Sequence, residues 1–137
     1  MDMQTVLGGI NWLAVIGATL STFALGAVWY GPVFGKAWMG ASGMTEERAR
    51  QGNTGMIFGV TFLIEFVAAT VLAMFIGAEA DAVFGLFAGL ATGLFWVAGA
   101  LDVVYLFEQR PLAHWAVNAG YMVVSFTIMG AILGAWH

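Results

Sequence analysis

Residues 55–77, GMIFGVTFLIEFVAATVLAMFIG, form an almost unbroken apolar run with one carboxylate, Glu65, near its middle. A helix rising about 1.5 Å per residue crosses the roughly 30 Å hydrocarbon core of a bilayer in about 20 residues. A helix that is apolar all round has no face to offer water, so the run reads as a membrane span. Glu65 then lies near the midplane, where a charge costs at least about 2.5 kcal/mol and is rarely left facing lipid. Neighbouring helices must screen it, hydrogen-bond it or give it water.

Three more apolar runs, at about 7–30, 82–107 and 112–136, repeat the pattern. The chain is 61% hydrophobic and 9% charged, against about 25% charged residues in a soluble domain. The expected fold is therefore all-α: a four-span transmembrane helix bundle, one integral membrane domain over 1–137. The absence of cysteine excludes disulfides, thiol catalysis and iron–sulfur ligation. Four Lys/Arg form no basic stripe, so no nucleic acid is expected as a partner. MDMQTVLGGI lacks the basic n-region of a signal peptide, and the first run is expected to stay as a helix. Hydrolase triads, phosphate loops and dinucleotide fingerprints are missing, and neither an enzyme nor a cofactor is implied. Only an enzyme working on a lipid or quinone between the helices stays open.

Local signals mark the ends of the runs. Trp29 and Tyr30 read as interfacial anchors before Gly31-Pro32 stops the first helix. In the first loop Phe34, Trp38 and Met39 flank Lys36 at headgroup level. Thr45 is a good N-cap, Glu46 and Glu47 occupy a first turn, Arg48 and Arg50 follow, and Gly52 closes a short interfacial helix. Pro111 suits the start of the last helix. Lys36, Arg48, Arg50 and Arg110 all lie in the first and third loops. The positive-inside rule puts those loops in the cytoplasm and both termini outside.

Small residues recur every fourth position at Ala14, Ala18, Thr22 and Gly26, and at Gly85, Gly89 and Gly93. Gly55/Gly59 and Gly130/Gly134 add shorter ridges. Such ridges let helices approach closely, within a protomer or between protomers.

The stretch WYGPVFGKAWMG, followed by Thr45-Glu46-Glu47, and later LFEQRP and WAVNAGYMVVSFTIMGAIL, resembles a small bacterial membrane-protein family catalogued as domain of unknown function seventeen sixty-one. The likeness covers nearly the whole chain and is most specific from Trp29 to Trp38. It implies a compact multi-pass protein of a bacterial plasma (inner) membrane without an assigned activity, and it carries over no catalytic residue.

Residues three, four and seven apart share a helix face. Glu65 shares its face with Phe58, Thr61, Ala68, Ala69 and Leu72. His114, Asn118, Tyr121, Met122 and Ser125 form one stripe, and Asp102 aligns with Tyr105. Together they outline a polar seam opening inward from Glu65 through Tyr121 and Asn118 to Asp102 and His114. One functional reading is a small transporter or channel, with Glu65 as a proton or cation site or a counter-ion. A single four-helix protomer leaves little room for a pathway, so this reading expects a homo-oligomer in the lipid bilayer acting on an unknown small ligand or ion. The alternative is a non-transporting module that binds a lipid-soluble ligand or stabilises a partner complex, with Glu65 a neutral acid gluing helices together. A cavity reaching Glu65 favours the first, dry packing the second. Asp102 is expected to snorkel to water or pair with Arg110. His114 is expected at the helix end among headgroups, since a lone imidazole makes no metal site. Asn118 and Ser125 suit interhelical hydrogen bonds of about 0.6 kcal/mol each.

Overall fold

The computed structural model describes residues 2–137 and is all-α. The Asp2 carboxylate accepts the Thr5 N–H and opens a short α1 (Met3–Gly8). That bond holds the exposed Asp2 carboxyl below the usual carboxylate range. The chain then breaks, and Asn11 restarts it by accepting the N–H groups of Leu13 and Ala14 at the head of α2 (Trp12–Val28). The first span thus begins five residues later than its apolar run, because the Asn side chain takes backbone donors that a continuous helix would use. At the other end the regular helix breaks at Gly31-Pro32, as its sequence suggests. Gly31 leaves helical geometry and Phe34 N–H reaches back five residues to the Trp29 carbonyl at 2.8 Å. A wide turn at Trp29–Val33 so absorbs the missing proline donor, giving a span of Trp12–Val33.

In the first loop the segment around Lys36 is itself helical, α3 (Gly35–Ser42), and ends at Gly43 with φ 77°. The acidic-then-basic segment forms α4 (Glu46–Gln51), capped by Thr45 Oγ1 and carrying an exposed Arg50–Glu46 pair at 3.3 Å. Asn53 caps α5 (Thr54–Ile76), which Gly77 ends at φ 81°. Asp81 caps α6 (Ala82–Ala91), which continues through a second wide turn (Thr92–Ala98) into α7 (Gly99–Phe107). After Pro111 comes α8 (Leu112–Ala135). Four helices are long and apolar enough to cross a membrane, namely Trp12–Val33, Thr54–Ile76, Ala82–Phe107 and Leu112–Ala135. The protein is a four-span bundle with short helices in its first loop.

Helix α8 is the hub, packed against α2, α3, α5, α6 and α7. Its closest neighbour is α6. A Cβ on Gly85 would overlap the Gly130 carbonyl, one on Gly89 the Phe126 carbonyl, and one on Gly93 would crowd Val123. Bare backbone on both helices is what permits this approach. On α5, by contrast, Gly59 borders open space. On α2, Ala14, Ala18 and Thr22 are buried. The core gathers Val15, Ala69, Leu72, Met129 and Leu133 at the end of the bundle that holds the second loop. Helix α5 joins it through Ala69, Leu72 and Ile76, whereas residues 54–64 are exposed throughout. The first-loop half of α5 therefore packs loosely: Phe58 and Phe62 meet the Phe23 ring of α2 at 6.0 and 6.2 Å between centroids, and the rest stands away from the bundle.

Candidate functional site

Where α5 stands away, a cavity of about 650 Å³ opens between α2, α5, α7 and α8, with Trp38 of α3 beside it. Its walls are apolar and aromatic: Phe23, Tyr30, Phe58, Leu101 and Met122 among others. No Asp, Glu, Lys, Arg or His lines it among the described residues. Ile57, Phe58 and Thr61 form the α5 wall and Leu101 and Tyr105 the α7 wall. Helix α5 rests on α2 and α8 and makes no extended contact with α7, so the α5 and α7 walls of the cavity are not packed against each other.

One corner is polar. The Tyr30 hydroxyl donates to Asn118 Oδ1 at 2.6 Å, and Asn118 Nδ2 donates to the Tyr105 hydroxyl oxygen at 3.1 Å. The Tyr121 hydroxyl donates to the Thr22 carbonyl at 2.8 Å. The Tyr30 ring meets Tyr121 and Trp38 edge-on, each at 5.3 Å between centroids. Next to it the Trp29 indole N–H donates to the Val117 carbonyl at 2.9 Å, and the bare Gly120 makes room for the ring. Trp29 and Tyr30 thus turn inward onto α8 rather than outward to headgroups. A phenol or indole placed against a packed helix needs a partner for its polar hydrogen, and α8 supplies one to each.

The residues of the expected seam divide into two groups. Asn118 and Tyr121 line the cavity. Ser125 is buried one turn further along α8. Glu65 lies one turn beyond Thr61, and its Oε2 is enclosed without a hydrogen-bond partner. Asp102 Oδ1 and His114 Nδ1 are enclosed and unpartnered as well. Arg110 pairs with Glu108 at 3.1 Å, leaving Asp102 without that cation. His114 is buried instead of meeting headgroups, and it stacks on Tyr105 at 5.0 Å and 22°. No cluster of three or more His, Asp or Glu suited to a metal occurs among the described residues. The hydrogen bonds therefore connect Tyr30, Asn118 and Tyr105, and Tyr121 with Thr22, without incorporating the enclosed atoms of Glu65, Asp102 and His114. Tyr30 joins the site although the polar stripes of the sequence do not include it.

A family model described as a protein of unknown function (DUF1761) matches residues 13–134, from the first span to the last. No curated protein and no solved structure matches the chain.

Proposed function

The chain belongs to the DUF1761 family of small multi-pass membrane proteins, and on that premise we propose that it takes a neutral, lipid-soluble ligand from the bilayer into the cavity between α2, α5, α7 and α8. The observation that carries this reading is a partly open cavity of about 650 Å³ with no charged lining. Its volume lies in the range of small-molecule sites, which are mostly apolar with a few placed polar groups. An ion entering there would shed its water and gain no counter-charge, whereas a neutral ligand loses little. The cavity wall reaches Thr61 and stops short of Glu65, which favours binding over transport.

A second reading keeps one specific support. The enclosed, unpartnered Glu65 Oε2 suits a proton- or cation-exchange site in a homo-oligomer, with Asp102, His114, Asn118, Tyr121 and Ser125 as its companions. Intramembrane acids are functional candidates by default.

The binding reading is tested with naphthalene as a neutral probe and the protein in mild detergent. Wild type is expected to bind it saturably, seen as a rise in melting temperature and as a complex in native mass spectrometry. Thr61→Trp, which fills the α5 wall from an exposed position, is expected to lose the complex while melting normally. No saturable binding by wild type would overturn the reading.

We further propose that the first and third loops face the cytoplasm and both termini face outward, since Lys36, Arg48, Arg50 and Arg110 all lie in those loops and basic loops stay inside. A C-terminal alkaline phosphatase fusion is expected to be active and a fluorescent-protein fusion dark. The reverse pair of results would invert the topology.

A further inference from the structure

The polar corner of the cavity holds more donors than it uses. Tyr30, Asn118 and Tyr105 carry four polar hydrogens between them: one on each hydroxyl and two on the carboxamide. Their two mutual hydrogen bonds occupy two. The remaining two are the Tyr105 O–H and the second Asn118 N–H. Turning the carboxamide over exchanges the roles of the two phenols but still leaves two hydrogens unused, so the surplus does not depend on which carboxamide atom is nitrogen. Tyr121 adds nothing to it, because its hydrogen is committed to the Thr22 carbonyl. Unused donors in an apolar enclosure are costlier and rarer than under-used acceptors. The corner therefore calls for an oxygen that can accept from both.

Two other features describe the rest of the molecule that brings this oxygen. The lining lacks charged side chains, so the acceptor is neutral, a carbonyl and not a carboxylate. Trp38 meets the Tyr30 ring, and Phe23 and Phe58 add aromatic surface elsewhere on the cavity wall, which suits a flat ring held by offset or edge contacts. Asn118 lies six residues into α8, about 9 Å along its axis from Leu112. That depth is open both to a ring carbonyl dissolved in the bilayer and to the ester carbonyl of a lipid.

We propose that the cavity captures a lipid-soluble carbonyl compound, its oxygen received between Asn118 and the phenols of Tyr30 and Tyr105. This rests on the cavity being a ligand site. The probes are two matched pairs, each a carbonyl compound with its hydrocarbon counterpart: 1,4-naphthoquinone with naphthalene, and methyl palmitate with octadecane. The chain has no cysteine, so the quinone has no thiol to modify. Wild type is expected to bind naphthoquinone about tenfold more tightly than naphthalene, a difference of about 1.4 kcal/mol. The double variant Tyr105→Phe/Asn118→Leu leaves only the Tyr30 hydroxyl in the corner. It is expected to lower that ratio to about threefold, because the Tyr30 hydroxyl, freed from Asn118, still supplies one of the two donors, while naphthalene still binds. The wild-type ratio is a test in its own right should the double variant fail to fold. A preference confined to the second pair would assign the oxygen to a lipid ester and still support carbonyl capture. Equal binding within both pairs would overturn the inference and leave the cavity a purely apolar site. No saturable binding of any probe would overturn both it and the function on which it rests.

Discussion

Gly89→Leu is expected to destroy the folded bundle, with little protein recovered and no cooperative melt, whereas Gly59→Leu accumulates and melts like wild type. The two substitutions are the same in chemistry and differ in surroundings. At Gly89 the first added carbon would overlap the Phe126 carbonyl, a backbone atom in the middle of α8 that cannot rotate aside. At Gly59 nothing lies within 4 Å. Overpacking a core against movable side chains costs about 1–3 kcal/mol. Against fixed backbone the cost is about 3 kcal/mol or more, a large share of the roughly 5–15 kcal/mol that holds a typical protein together. Melting curves and yields in detergent read the difference. Equal melting of the two variants would mean that α6 and α8 do not approach as closely as Gly85, Gly89 and Gly130 require. Because this face of α6 is occupied by α8, any contact between protomers has to use another surface.

Glu65→Leu is expected to raise the melting temperature, corresponding to about 1–3 kcal/mol. The reading of Glu65 as a neutral acid gluing two helices expects the opposite, since removing the acid would leave its partner stranded. The enclosed Oε2 has no partner, so leucine strands nothing there and removes a polar oxygen that is poorly accommodated. Glu65→Gln keeps a polar group in the same place and is expected to change stability little. The pair also separates the two functional readings. If Glu65 exchanges protons, wild-type liposomes show a pH-driven flux that Glu65→Gln abolishes, because the amide cannot change charge. A loss of stability in Glu65→Leu would show that the carboxyl is held by a partner after all.

The sequence made the architecture legible wherever a single residue decides a helix end or a packing face. Thr45, Pro111 and the ladder of Gly85, Gly89 and Gly93 act through their immediate neighbours and a fixed spacing, and both are visible in one dimension. Asn11 was legible as a polar residue but not as a cap, because the apolar residues before it continue the pattern of the span. Trp29 and Tyr30 show the harder limit. An aromatic residue at the end of an apolar run serves equally as a headgroup anchor or an inward contact, and the deciding acceptors, Val117 and Asn118, lie 88 residues away. The cavity was less legible still. Helix α5 is apolar all round, so its composition does not say that only its second half packs. Asn118 and Tyr121 stood out as polar residues, but the empty space beside them follows from α5 leaning away.

The position of the hub in the chain has a consequence for the order of assembly. Membrane helices insert first and associate afterwards, yet here the helix that the others pack against is the fourth span. Trp29, Tyr30 and Thr22 find their α8 partners across 88 to 99 residues, and the glycine ladder of α6 finds its counterpart only on α8. During synthesis three spans must therefore wait side by side in the lipid as loosely held neighbours, with the indole of Trp29 and the phenol of Tyr30 lacking their final acceptors. Contacts this distant in sequence come late and slow the search for the native arrangement. A ribosome that stalls before α8 would release at most α2 and α5 resting on each other beside an unpartnered third span, exposing to quality-control proteases the surfaces that the finished protein hides.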